Sequence, residues 1–77
     1  PDWIIEIVSP SSRTMDYYKK AGKYAEAGVR EYWIVDPARK ATVICRMEKG
    51  EGPVIHPFTD TLPSGVIEGL ELNFQII

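Results

Sequence analysis

The chain has 77 residues, 44% of them hydrophobic and 26% charged, which is the composition of one folded domain spanning 1–77 rather than of a disordered segment. Nine Lys and Arg against eleven Asp and Glu give a net charge of −2, excluding a uniformly basic nucleic-acid arm or a polybasic membrane anchor. Its one cysteine, Cys45, excludes an internal disulfide framework and a cysteine-cluster zinc site. No apolar run approaches the ~18 residues of a membrane span, and no signal peptide is visible, so a reducing cytoplasm without membrane attachment is expected.

Trp3 to Val8 is apolar and β-branched on both faces except at Glu6, which predicts a strand covered on both sides, as in a parallel sheet. Ser9-Pro10-Ser11-Ser12 is turn-forming, and a helix is predicted from about Thr14 to Ala27, capped by Ser12 or Thr14. Tyr17, Ala21 and Tyr24 recur at helical spacing, and Gly28 stands where a left-handed cap ends such a helix. Glu31 to Asp36 is the second strand, stopped by Pro37. A turn then leads to a third strand over Ala41 to Met47, and a weaker edge strand runs from Val54 to Phe58. Leu70, Leu72, Phe74, Ile76 and Ile77 are free to cap a core.

Strand, helix, strand is a βαβ unit, so the first two strands should be parallel and the third antiparallel to the second. The expected architecture is α/β, bordering on α+β, with a mixed sheet. A core of this size gives only a few kcal/mol of stability without a staple. The chain is therefore read as an excerpt of a larger fold, with homo-oligomerisation as the other remedy.

Arg13 to Ala25 holds four basic residues (Arg13, Lys19, Lys20 and Lys23) against one acidic residue, Asp16. Such a stripe can contact phosphates or can simply be a solvated helix face. Phosphate-loop, dinucleotide and nucleophile-elbow motifs are absent. Cys45 and His56 could be drawn as a dyad, but a thiol between Ile44 and Arg46 reads as a buried structural group. Tyr32 and Trp33 read as packing residues.

Glu6 is the anomaly, since an unpaired carboxylate inside an apolar strand costs several kcal/mol. Alternation puts Asp2, Ile4, Glu6 and Val8 on one face, yet Asp2 lies about 13 Å along the strand, too far to share one metal ion. Lys20, in the second helical turn, can reach back to Glu6. It can equally form an ordinary i, i+4 surface pair with Asp16, and the residues alone leave both open.

The segments PDWIIEIVSPS, R-x-x-D-x-x-x-K-x-x-x-Y-A-x-A-G-V and EYWIVDP resemble a bacterial restriction-endonuclease-like family of the PD-(D/E)XK nuclease superfamily, formerly a domain of unknown function. The resemblance is tight from Pro1 to Pro37 and looser to the Gly69-Leu70-Glu71-Leu72 tail. It implies that this chain is the C-terminal part of a restriction-endonuclease-like core, a βαβ unit followed by a β-hairpin.

The resemblance also implies metal-dependent hydrolysis of DNA phosphodiester bonds with Mg²⁺ or Mn²⁺, with Glu6 as a metal ligand and Lys20 as its catalytic partner. A further acidic ligand is expected upstream of Pro1, with Asp2 the fallback. Arg13, Lys19 and Lys23 would contact nucleic acid. The superfamily's Glu-x-Lys reads Glu6-Ile7-Val8 here, so the lysine has moved to the helix. The full-length parent is expected to be the enzyme and the fragment alone inactive. The alternative is an inactive nuclease-fold domain that binds nucleic acid or protein.

Overall fold

The computed structural model describes residues 1–9 and 14–75, with the side chains of residues 14–16 left aside. Strand β1 (Trp3–Ile7) leads to helix α1 (Thr14–Glu26), β2 (Glu31–Asp36) and β3 (Ala41–Arg46), followed by one 3₁₀ turn (Met47–Lys49). Then come β4 (Val54–Pro57), β5 (Leu62–Pro63) and β6 (Glu71–Leu72). One four-stranded sheet runs in the order β1-β2-β3-β4, and β5 and β6 form a separate ribbon. β1 is parallel to β2 with Glu6 opposite Ile34, while β2–β3 and β3–β4 are antiparallel. This is the mixed sheet expected from the chain, and with one helix it is an α+β architecture.

Each boundary has a local cause. The Val29 N–H donates to the Tyr24 carbonyl at 2.9 Å and the Gly28 N–H to that of Ala25 at 3.1 Å, with Gly28 at φ +85°. That double bond is a Schellman motif, and it satisfies the last carbonyls of α1 while turning the chain into β2. Between β2 and β3, Asp36 accepts hydrogen bonds from the Arg39 backbone N–H (3.2 Å) and from its guanidinium (2.9 Å), closing the Pro37–Lys40 turn. Lys40 there adopts the left-handed region at φ +52°.

The sheet has two unlike faces. On one, α1 covers Val8, Tyr32, Ile34 and Cys45 with Tyr17, Ala21 and Tyr24, and Ile4, Val43 and Met47 complete the cluster. On the other, Trp33, Ile44 and Leu62 are buried with Trp3, Leu72 and Phe74 around them. The Trp3 and Trp33 rings meet edge to face at 5.0 Å, and Trp33 and Phe74 at 6.4 Å. β2 is buried along its whole length.

β1 is not covered on both sides as its composition predicts. Ile5 and Ile7 are 40% and 63% exposed, because within these 77 residues β1 is an outermost strand and the aromatic cluster of the second face reaches only Trp3. Of the C-terminal residues, Leu72 and Phe74 cap the second-face core, Leu72 through its pairing with Leu62 in the β5–β6 ribbon, while Ile76 and Ile77 lie outside the described residues. The predicted strand ends at Val8, Met47 and Phe58 shorten by one residue each, and the helix stops at Glu26.

A buried carboxylate ties the ribbon to the sheet. Glu31, 4% exposed, accepts a hydrogen bond from Trp33 Nε1 at 2.8 Å and faces Arg46 Nε at 3.6 Å, while the Arg46 guanidinium donates to the Pro63 carbonyl at 3.2 Å. Gly65 seats directly against this carboxylate. A Cβ there would collide with Glu31 Oε2 and come within 2.9 Å of its Cδ. Because that carboxylate is held from two sides, it cannot yield cheaply. Gly65→Ala is therefore expected to destabilise the fold by about 1–3 kcal/mol in denaturant unfolding, with Gly52→Ala, which meets nothing within 4 Å, close to neutral.

Candidate functional site

Glu6 lies one residue from the end of β1, on the face that α1 covers. Its parallel neighbour β2 places Tyr32 opposite Ile4 and Ile34 opposite Glu6, so Tyr32 rises on the same face beside the carboxylate. Tyr17, Ala21 and Tyr24 hold α1 down on the sheet, and Lys20 sits on the flank of that buried stripe. The helix position thus follows from packing, and the lysine is carried with it.

The result is a three-residue constellation. Lys20 Nζ donates to Glu6 Oε1 at 2.8 Å, and the Tyr32 hydroxyl donates to Glu6 Oε2 at 3.4 Å. The Glu6 side chain is 26% exposed and that of Lys20 49%, so solvent reaches the pair from the helix flank. Tyr32 itself is 0% exposed, with its ring edge to face with Tyr24 at 4.9 Å. Burial, and secondarily the negative charge of Glu6, raise the pKa of the Tyr32 hydroxyl, so it stays protonated as a donor.

The structure brings Lys20 to the strand, and the i, i+4 alternative falls on Asp16, whose side chain is not among those described. The 2.8 Å contact is shorter than the ~4–7 Å expected of two groups sharing a metal-bound phosphate, and it is direct. The side chain of Asp16 lies outside the described residues, as do Arg13 and Ser12. Lys19 and Lys23 are exposed and stand one turn apart on the outer side of α1, with Lys23 also one turn beyond Lys20.

Asp2 is exposed, and its backbone carbonyl accepts from the N–H groups of Arg30 (2.9 Å) and Glu31 (3.2 Å). Its place is therefore at the start of the β1–β2 pairing. Among the described residues, no group of three or more His, Cys, Asp or Glu could hold a metal ion. Within this constellation Glu6 supplies the hard oxygen donor and Lys20 the cationic group beside it. That fits one of the one or two carboxylates that Mg²⁺ ordinarily takes, and does not by itself complete a site.

Other candidates fall away. Cys45 belongs to the helix-side core and its thiol pKa is raised by burial, whereas His56 pairs in register with Thr42 on the opposite face. The two cannot form a dyad, and His56 Nδ1 instead faces Asp60 Oδ2 at 3.4 Å. Tyr32 is the residue that sequence reasoning missed. It reads as packing until the parallel register places its hydroxyl beside Glu6.

Residues 1–75 match the family Uma2, described as "Putative restriction endonuclease", and the chain belongs to that family. It is also similar in structure to a putative nuclease belonging to DUF820 from Anabaena variabilis, with a TM-score of 0.78 and 23% sequence identity over 95% of this chain. The chain spans 41% of the length of that neighbour, and the likeness shows the fold. No curated protein matches. Among the described residues, no helix is long and apolar enough to cross a membrane.

The Glu6–Lys20 contact is partly exposed, so its worth is that of a solvent-screened pair. A double-mutant cycle with Glu6→Gln and Lys20→Met is expected to give a coupling of about 0.2–1 kcal/mol in urea unfolding, falling further at 1 M salt.

Proposed function

We propose that the full-length protein is a divalent-metal-dependent DNA endonuclease whose site includes Glu6 and Lys20. The observation that carries this reading is the direct contact of the two side chains at 2.8 Å on the solvent-reached flank of α1. Membership of the Uma2 family supports it. An acidic residue from outside the 77 residues supplies the remaining protein ligand, and residues 1–77 alone cleave no DNA.

When bound, Mg²⁺ or Mn²⁺ supplies Lewis acidity toward the phosphate and lowers the pKa of a coordinated water. This chain's residues do the rest. Glu6 offers an oxygen to the cation and, being acceptor-only when ionised, also fixes the ammonium of Lys20. Lys20 holds positive charge within reach of the phosphate and stabilises the charge that develops on its oxygens. Tyr32 keeps water off the inner side of the carboxylate. Lys19 and Lys23 on the helix, and Arg13 preceding it in sequence, contact flanking phosphates. These contacts position the duplex without reading its sequence.

A second reading, a nuclease-fold domain that binds DNA without cutting it, draws on the absence of a three-residue metal cluster among the described residues. A Mn²⁺-dependent plasmid cleavage assay on the full-length protein separates the two. Glu6→Gln is expected to abolish cleavage, and Lys20→Ala to slow it roughly 10²-fold with less change in metal affinity. Lys19→Ala with Lys23→Ala should lower the slope of log affinity against log salt by about 2. Wild-type protein that binds DNA and leaves it intact with either metal would establish the second reading.

A further inference from the structure

The site contains a group that packing alone does not explain. Tyr32 is fully buried among Val8, Tyr17, Ile34 and Cys45, yet its hydroxyl is directed at Glu6 Oε2 at 3.4 Å rather than at a backbone carbonyl. A phenylalanine would fill the same core volume. The hydroxyl is there at the cost of bringing a polar atom into an apolar cluster, and among the described residues its acceptor is Glu6.

Geometry gives that hydroxyl a task. The Glu6 carboxylate terminates a side chain with three rotatable bonds on an edge strand, and Lys20 alone would tether only Oε1. A second donor on Oε2, coming from the neighbouring strand instead of the helix, fixes the rotation of the carboxylate plane. Tyr32 is suited to this because its own ring is immobile. It is held by the ladder of β2 with β1 and β3 and by the edge-to-face contact with Tyr24. Lys20, half exposed on a flexible stem, can then leave Oε1 for a phosphate without the carboxylate losing its orientation.

We infer that Tyr32 is a positioning residue for Glu6, holding one carboxylate oxygen from the strand side so that the other meets the helix side in a fixed direction. The inference rests on the proposed role of Glu6 for its consequence in catalysis, but the orientation itself is a property of the metal-free protein.

The test uses Tyr32→Phe in the full-length protein, with Tyr24→Phe as the control that removes a neighbouring phenol hydroxyl. Without metal, the Glu6–Lys20 coupling from the double-mutant cycle is expected to change by about half in the Tyr32→Phe background and to stay unchanged in Tyr24→Phe. With metal, Mn²⁺ affinity measured by electron spin resonance should fall roughly tenfold. The turnover number should drop while KM for DNA is retained, since Lys19 and Lys23 are untouched. If wild type binds no Mn²⁺, the proposed function fails and the metal-free cycle still decides on Tyr32. Should Tyr32→Phe not fold, the nuclear magnetic resonance signal of the wild-type Tyr32 hydroxyl proton is followed instead, and it should shift in Glu6→Gln but not in Lys19→Ala. An unchanged coupling in folded Tyr32→Phe, or an unmoved hydroxyl proton in Glu6→Gln, would overturn the inference.

Discussion

A carboxylate set into an apolar strand has to be satisfied, and the packing of this molecule is what brings Glu6 its partners. Its partners come from two elements separated in sequence, Lys20 on α1 and Tyr32 on β2, and they meet only because β1 and β2 are parallel with α1 between them. The ion pair does not hold the helix there. It is half exposed and worth about 1 kcal/mol at most, whereas burying even one large apolar side chain contributes roughly 1.5–3 kcal/mol. Tyr17, Ala21 and Tyr24 dock the helix, the Gly28 cap directs the chain into β2, and the polar contact is the consequence of that docking.

The two faces of the sheet surround their carboxylates differently. Glu31 and Glu6 are both carboxylates on adjacent strands, yet their surroundings differ. Glu31 is closed in by Trp33, Arg46 and the backbone of Gly65, with nothing left for a ligand, and it anchors the β5–β6 ribbon. Glu6 is met by a lysine that solvent can reach and by a single hydroxyl on its inner side. Under the function proposed above, the first is structural and the second is open to exchange with a cation or a phosphate. The aromatic face around Trp33 gives the strands the rigidity such a site needs.

Much of this was legible before any coordinates. The β-branched runs, the helical spacing of Tyr17, Ala21 and Tyr24, and Gly28 as terminator mark β1, α1 and β2, because each depends on local periodicity or backbone freedom. Glu6 stands out for the same reason, as a charge in the wrong place. The β5–β6 ribbon was not legible. Its strands have two residues each, and they are held by Glu31 and by aromatic contacts from distant strands rather than by their own pattern. Within these 77 residues Ile5 and Ile7 are exposed because the second-face cluster reaches β1 only at Trp3, a long-range packing that composition does not encode. Tyr32 needed the register, since a shift of one residue would turn its hydroxyl to the opposite face.

Under the proposed function, Glu6 is the carboxylate through which this domain meets a divalent cation. Carbon-13 labelling of the glutamate carboxyl groups in the full-length protein, with Glu6 assigned by its loss in Glu6→Gln, allows a direct titration with Mg²⁺. If Glu6 holds the cation, its resonance shifts saturably at cation concentrations that leave the exposed Glu26 and Glu68 unmoved. A Glu6 signal that stays fixed, or that moves only together with those surface carboxylates, would contradict it.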